Sequence, residues 1–372
     1  MNEELVLNVL ENQGIDLVAS LPCDKNRRLT ALLPTKFQEI VLAREEDGVG
    51  ICAGAYLGGK KPVMSIQSSG LGNMLNALMS LSRVYSLPLP ILASWRGVCN
   101  EVICAQIPFN EPLPKLLDVY SIPYRIFSNG EDLEKLAEVI AGAYEMCTPY
   151  VALIKPSCWE QQDPVDTAYP LREAKLRNLE LPGYRNPEMK RLDAIRVITE
   201  FVDADNVIVS NIGHPSKELY ASKDRMGNFY MLGSYTQASA IGLGCAIAMP
   251  KKRVIVIDGD GSLLGSAILP IIAAKNCKNL TIVALDNGTF GSTGDQISPA
   301  YTTADLGFIA LGAGIVSVER VCSVNELHDA LRREVQFIHV LLSPGNSVVP
   351  NILLSPIEIR DRFMRFCMEL SY

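Results

Sequence analysis

Histidine is scarce in this 372-residue chain: there are three, His214, His328 and His339, and none in residues 1–160. Acid–base chemistry carried by the first half therefore has no imidazole to use. No apolar run reaches the ~18–20 residues that a membrane helix needs. The opening MNEELVLNVLENQG is acidic and amphipathic, without the basic start and apolar core of a signal peptide. A cytoplasmic protein with no membrane contact is expected. There is no Lys/Arg run and the net charge is −7, so the basic footprint of a nucleic-acid binder is missing. Local anion binding stays open, through helix N-termini and a few placed cations.

Zinc spacing is also lacking. The chain has ten cysteines, Cys23, Cys52, Cys99, Cys104, Cys147, Cys158, Cys245, Cys277, Cys322 and Cys367. None forms Cys-x-x-Cys, and none has a histidine at ligand distance along the chain. Several lie in apolar segments, where cysteine acts as a small hydrophobe. Buried, reduced thiols are expected rather than a cluster or disulfides, which suits a reducing cytosol.

What is present is strand–helix alternation. IDLVAS (15–20), EIVLA (39–43), PVMSIQ (62–67), LPILAS (89–94) and YVALIK (150–155) read as buried strands. The stretches 48–59 and 72–84 read as helices between them. The pattern breaks over residues 161–188, which are polar and proline-rich and read as a linker. It resumes with NVIVS (206–210), RVIVID (253–258), LTIVALD (280–286) and FIHVLLS (337–343), with helices over 239–249 and 263–276. Fully apolar strands alternating with helices predict an α/β chain with two doubly wound parallel-sheet domains, 1–160 and 189–372, joined by the linker 161–188.

Three strand ends in the second half carry polar loops: Asn211–Ile212–Gly213–His214, Asp258–Gly259–Asp260–Gly261–Ser262, and Asp286–Asn287–Gly288–Thr289. Ligands of parallel sheets bind outside the carboxyl ends of strands, and right-handed crossovers bring these ends to one side. Asp260 and Asn287 should therefore converge. The stretch DGDGSLLG (258–265) alone fits a tight turn, a dinucleotide fingerprint or a metal site. A dinucleotide site prefers an acidic residue ~20 positions on, at the ribose. The corresponding region here is Lys275–Lys278. Mg2+ fits better, as a hard cation held by one or two protein oxygens plus phosphates. Gly261 and Ser262 would open the next helix and admit a phosphate at its N-terminus.

Gly-Asp-Gly-Ser followed by Asn287 resembles the cofactor motif of thiamine-diphosphate-dependent enzymes. The resemblance implies thiamine diphosphate with Mg2+ on the Asp260 and Asn287 side chains and the Thr289 carbonyl, although Asp286 stands where the motif usually has a first Asn. It also implies a glutamate at N1′ of the aminopyrimidine, ten residues before a tyrosine. EEDGVGICAGAYLGG places Glu46 ten before Tyr56, with Glu45 out of register. LPCDKN (21–26) is similar to a decarboxylase loop and implies Asp24 at the reaction centre. SSGLGN (68–73) implies Gly72 and Asn73 beside the pyrimidine. GSYTQAS (233–239) implies the Gly233 carbonyl at the 4′-amino group and Tyr235 as the wedge bending the cofactor, a role usually filled by Met, Leu or Ile. Gly213 and His214 would meet the diphosphate.

SWRG (94–97), SKELY (216–220) and DNGTFGSTGDQ (286–296) look most like the family's decarboxylases of sulfonated or phosphonated 2-oxo acids, whose two halves are usually separate subunits. A small anionic 2-oxo acid substrate needs fixed cations; Arg96 is the first choice, with Lys25, Arg27 and Lys217 as candidates. Trp95 reads as packing. Related decarboxylases commonly transfer protons with a histidine pair. This first half has none, so Asp24, the 4′-nitrogen or water must serve, with Asp24 the expected acid. The resemblance further implies a homodimer or homotetramer with active sites between subunits. Two competing readings are a nucleotide-dependent oxidoreductase and a thiamine-binding protein without turnover.

Overall fold

A computed structural model describes residues 2–160 and 180–369. They form two compact units, one N-terminal and one C-terminal. Each is built on a six-stranded sheet in which every pairing is parallel.

The first sheet uses β1 (Leu17–Ser20), β2 (Gln38–Val41), β3 (Pro62–Gln67), β4 (Leu89–Ser94), β5 (Tyr124–Phe127) and β6 (Pro149–Ile154), in the order β2-β1-β3-β4-β6-β5. β1, β4 and nearly all of β3 and β6 are buried. One core cluster joins the inner face of helix Asn2–Asn12 (Val6, Leu10) to Val139 and Ile140 of a later helix and to Ala152 and Ile154 of β6. Two helices matter to the site: α1 (Glu45–Leu57), acidic in its first turn and apolar thereafter, and α2 (Gly70–Ala77).

The second sheet uses β7 (Asn206–Ser210), β8 (Asn228–Tyr230), β9 (Arg253–Gly259), β10 (Leu280–Asp286), β11 (Val318–Val321) and β12 (Phe337–Leu341). Their order is β11-β12-β10-β9-β7-β8. The helices that concern the site are α3 (Arg191–Phe201), α4 (His214–Ser222) and α5 (Ala238–Ala248). Gly242 of α5 lies so close to β9 that a Cβ there would stand 2.1 Å from Val256 Cγ2. The glycine lets the helix sit directly on the strand.

The expected helix over 263–276 is two pieces, α6 (Asp260–Leu264) and α7 (Ile268–Lys275). Gly265 ends the first, and the Ser266 hydroxyl accepts the Ile268 N–H at 3.0 Å to open the second. The expectation that Gly261 and Ser262 begin one long helix is thus corrected: α6 is a single short turn. Of the expected linker, residues 161–179 lie outside the described residues. Residues 180–188 have no regular structure and lie on the second unit, where Arg185 pairs with Glu326 at 2.7 Å and the Glu188 N–H donates to the Cys322 carbonyl at 2.9 Å.

All ten cysteines are free thiols. Against the expectation of burial, Cys99, on the loop after β4, and Cys104, at the start of the short turn Cys104–Gln106, are exposed, and Cys147 and Cys277 are only partly buried. Among the described residues no helix is long and apolar enough to cross a membrane.

Candidate active site

In the second unit the chain leaves β7 for β8 on one side and returns to β9 on the other. The loops after β7 and β9 therefore flank a switch-point crevice, where parallel sheets bind ligands. A cavity of about 160 Å3 lies there. Its walls include Asn211, Ile212 and Pro215 after β7, Gly259 at the end of β9 and Asp260–Ser262 after it, Asn287 and Thr289–Thr293 after β10, with Tyr235 and Arg191. The expected convergence of Asp260 and Asn287 is thus a feature of the structure.

Asp260 is buried, and its carboxylate accepts a short hydrogen bond from the Ser298 hydroxyl. Burial pushes its pKa up to about 6, with the Asp286 charge adding to the rise and Ser298 opposing it. A carboxylate so placed is short of positive charge. The Asn287 amide donates to Thr289 Oγ1 at 3.1 Å, which turns its oxygen to accept the Thr289 N–H at 3.4 Å and leaves that oxygen capacity to spare. Among the described residues no trio of His, Cys, Asp or Glu converges, which removes a zinc-like site. One carboxylate, one amide oxygen and one main-chain carbonyl, beside room for phosphate oxygens, fit Mg2+.

The diphosphate side fits as well. Gly213 precedes α4 with φ +86°, and a Cβ there would stand 2.5 Å from Ser292 Oγ. Only glycine suits that turn. His214 opens α4, and its buried Nδ1 has no hydrogen-bond partner among the described residues. Burial, followed by the Arg191 charge, holds this imidazole below its ordinary pKa. Ser262 is buried on the cavity wall. Lys217, one turn along α4, faces a separate cavity of about 360 Å3 with Gly213 and Leu232.

Tyr235 stands half-exposed between Ser234 and Thr236, both at positive φ (64° and 78°). Such strain in non-glycine residues persists only where the surroundings impose it. The Tyr235 hydroxyl donates a short hydrogen bond to the Gly261 carbonyl. The ring is thereby fixed over the Gly-Asp-Gly-Ser turn. Gly233, two residues earlier, is partly exposed.

In the first unit the loops after β1, β3 and β4 meet. Arg96 is buried at their centre. Its Nε and Nη2 donate to Glu101 at 2.6 and 3.1 Å, while Nη1 donates to Asp24 and, at 3.1 Å, to Gln67. Arg96 was expected to receive a substrate oxyanion. The structure gives its fork to Glu101, a residue the sequence did not single out, and its remaining arm to Asp24. Glu101 is drawn down to about 2, chiefly by the hydrogen bond from Arg96. Lys25 lies 3.4 Å from Asp24 and is partly exposed; Arg27 is exposed on the next turn. Trp95 packs in the core and donates its indole N–H to Asn110 O at 3.0 Å.

Glu46, the second residue of α1, lies beside Arg44, with 3.1 Å between carboxylate and guanidinium. Burial raises its pKa, and Arg44 only partly offsets this. Glu45, expected to face elsewhere, instead meets the SSGLGN loop that was expected beside the pyrimidine. It is buried against Gly70 and accepts the Asn73 amide at 2.9 Å. Asn73 is therefore tied to Glu45, and Gly72 packs where a Cβ would stand 3.0 Å from the Phe109 ring. The bond between Glu45 and Asn73 fixes the start of α2, a role that two adjacent glutamates in a sequence do not reveal.

Family models describe both units. The N-terminal TPP binding domain of thiamine pyrophosphate enzymes matches residues 2–107, and their C-terminal TPP binding domain matches residues 212–342. The chain belongs to the thiamine pyrophosphate enzymes. It is 46% identical to a sulfopyruvate decarboxylase of Methanosarcina acetivorans over 97% of this chain and 96% of that one. Separate subunits resemble its halves. A sulfopyruvate decarboxylase subunit beta of Methanocaldococcus jannaschii is 44% identical over 47% of this chain and 95% of its own length. A subunit alpha of Methanococcus maripaludis is 38% identical over 42% of this chain and 96% of its own. This thiamine pyrophosphate enzyme thus carries in one chain what those organisms hold in two. The dinucleotide reading of DGDGSLLG is set aside by the same match.

Proposed function

We propose that the protein decarboxylates sulfopyruvate to sulfoacetaldehyde and CO2 with thiamine diphosphate and Mg2+, a step of coenzyme M biosynthesis in the cytoplasm. The observation that carries the reading is near-full-length similarity to a sulfopyruvate decarboxylase, together with a half-by-half match to its separate subunits. Residues 1–160 serve the pyrimidine and 189–372 the diphosphate, in a homodimer or homotetramer.

When bound, thiamine diphosphate supplies the thiazolium that accepts the electron pair left by departing CO2. The chain's residues place and charge that group. Asp260, Asn287 and the Thr289 carbonyl hold Mg2+, while Gly213, His214, Gly261 and Ser262 receive phosphate oxygens. Glu46 takes N1′ of the pyrimidine; a carboxyl raised by burial suits a shared proton there. Gly72 and Asn73 line the ring, the Gly233 carbonyl accepts from the 4′-amino group, and Tyr235 serves as the wedge. Asp24 would relay a proton taken from water to the carbon that loses CO2, its carboxylate held in place by Arg96 and Lys25. Lys25, Arg27 and Lys217 would attract the sulfonate, while the Arg96 guanidinium is held by Glu101 and Asp24.

Purified protein incubated with thiamine diphosphate, Mg2+ and separate oxo acids tests this. CO2 and aldehyde are expected from sulfopyruvate, with a lower kcat/KM for phosphonopyruvate. No CO2 from sulfopyruvate overturns the proposal, and a preference for phosphonopyruvate reassigns the substrate.

A further inference from the structure

The SKELY segment holds a residue that the site as described does not use. Glu218, within α4, is fully buried. Its carboxylate accepts Arg191 side-on, from Nε at 2.9 Å and Nη2 at 3.0 Å. Arg191 is the first residue of α3 and is itself buried. Its Nη2 also donates to Asn346 Oδ1 at 2.8 Å, and the Asn346 amide donates to the Gly291 carbonyl at 2.8 Å. Gly291 stands on the cavity wall beside Thr289.

A guanidinium has five N–H donors in a rigid plane. Glu218 and Asn346 occupy Nε and Nη2; Nη1 has no protein acceptor among the described residues. Arg191 nevertheless lines the same cavity as Asp260, Ser262 and Asn287. A buried ion pair is a poor way to gain stability, since an apolar pair of similar volume does as well or better. What this pair provides is a cationic edge whose direction is fixed on one side by Glu218 and on the other by Asn346. The cavity needs such an edge, because a diphosphate together with Asp260 brings more negative charge than one Mg2+ balances.

The geometry points to Arg191 as a diphosphate anchor: its Nη1 edge binds a phosphate oxygen of the cofactor, with Glu218 and Asn346 as positioning residues. This rests on the proposed thiamine diphosphate cofactor and adds to it a contact outside the sequence motifs. It also explains the glutamate of SKELY, whose part is to hold the guanidinium in its plane. Binding through Arg191 further couples phosphate to the 289–295 loop, by way of Asn346 and Gly291.

Calorimetric titration with thiamine diphosphate at saturating Mg2+ tests the assignment, with inorganic pyrophosphate and unphosphorylated thiamine as further probes. Arg191→Met alone would strand Glu218, so the paired variant Arg191→Met/Glu218→Leu is used, with thermal unfolding of the apo protein as the check on folding. The expected result is a folded protein whose affinity for thiamine diphosphate and pyrophosphate falls about 10- to 100-fold, the loss of one or two charge-assisted hydrogen bonds, while thiamine binding is unchanged. Wild-type affinity for pyrophosphate in a folded paired variant overturns the assignment. If the pair does not fold, Arg191→Lys decides. The single ammonium cannot hold Glu218 and a phosphate together, so pyrophosphate binding falls at least about threefold, and an unchanged constant overturns the assignment. Failure of the wild-type chain to bind thiamine diphosphate would instead sink the functional proposal.

Discussion

His339 Nε2 lies 2.8 Å from Asp286 Oδ2, and both side chains are buried. The other Asp286 oxygen accepts the Gly288 N–H at 3.0 Å, so a histidine of β12 braces the turn that presents Asn287. Tyr184 packs edge-on to the imidazole, with ring centroids 6.1 Å apart. His339→Leu leaves a buried carboxylate without this partner. It is expected to cost about 2–4 kcal/mol in urea unfolding and to weaken Mg2+-dependent cofactor binding. Unchanged unfolding would show that the turn does not need its brace.

Glu46→Gln separates catalysis from stability. The wild-type carboxyl titrates above its ordinary value in the folded protein, chiefly through burial. The folded state thus holds the proton longer than the unfolded chain, and stability falls as pH rises from the unfolded pKa through the folded one. A neutral glutamine avoids that loss. Apo Glu46→Gln is expected to melt at or above the wild type near pH 7, with the difference vanishing towards pH 4. Decarboxylation should be abolished and Mg2+-dependent cofactor binding largely kept. Full activity would remove Glu46 from its role.

Arg96 and Glu101 give the opposite sign. Glu101 is held near 2 by the Arg96 hydrogen bond, below the ordinary carboxylate value of about 4.3. Its contribution to stability is present above pH ~4.3 and disappears as pH falls towards 2. Glu101→Gln leaves the Arg96 guanidinium buried without its main carboxylate, at a cost of roughly 2–3 kcal/mol at pH 7. Guanidinium-chloride unfolding at several pH values should show the gap closing on the acid side. The kcat should fall too, because the Arg96 side chain that holds Asp24 is no longer fixed by Glu101.

Asp260→Asn tests the metal. The variant keeps shape and a donor-acceptor pair near Ser298 but loses the charge a divalent cation needs. Thiamine diphosphate binding should become insensitive to added Mg2+ and to chelator, and apo stability should hold or rise, since burial already disfavours the charged form. A chelator-sensitive variant with wild-type affinity would place the cation elsewhere.

The central strands of both sheets were legible because burial on both faces makes them continuous apolar runs. The strands that went unread, Tyr124–Phe127, Asn228–Tyr230 and Val318–Val321, are all edge strands with one neighbour each. Tyr124–Phe127 and Val318–Val321 carry partly exposed residues that break an apolar run, and Asn228–Tyr230 is only three residues long. The same division runs through the site. Asp260, Asn287 and Glu46 stood out because local spacing and a neighbouring glycine or tyrosine mark them. Arg191 with Glu218, Arg96 with Glu101 and Asp286 with His339 did not, since the fold rather than a motif makes each pair meet. Arg96 shows the cost most plainly: a strand-end arginine reads as an open anion site until its carboxylate partner is seen.

Gly261 touches two aromatic side chains at once. A Cβ there would lie 2.4 Å from Phe290 Cε1 and 3.2 Å from the Tyr235 hydroxyl, and its own carbonyl is held by that hydroxyl. The Gly-Asp-Gly-Ser turn is thus walled by segments 26 residues before it and 29 after it in the chain. Transplanting the four residues into another parallel sheet would carry the metal's carboxylate without the walls that orient it. In design and in gene fusion or fission alike, the portable module is the whole second unit, and a break between Tyr235 and Phe290 should be the cut this enzyme tolerates least.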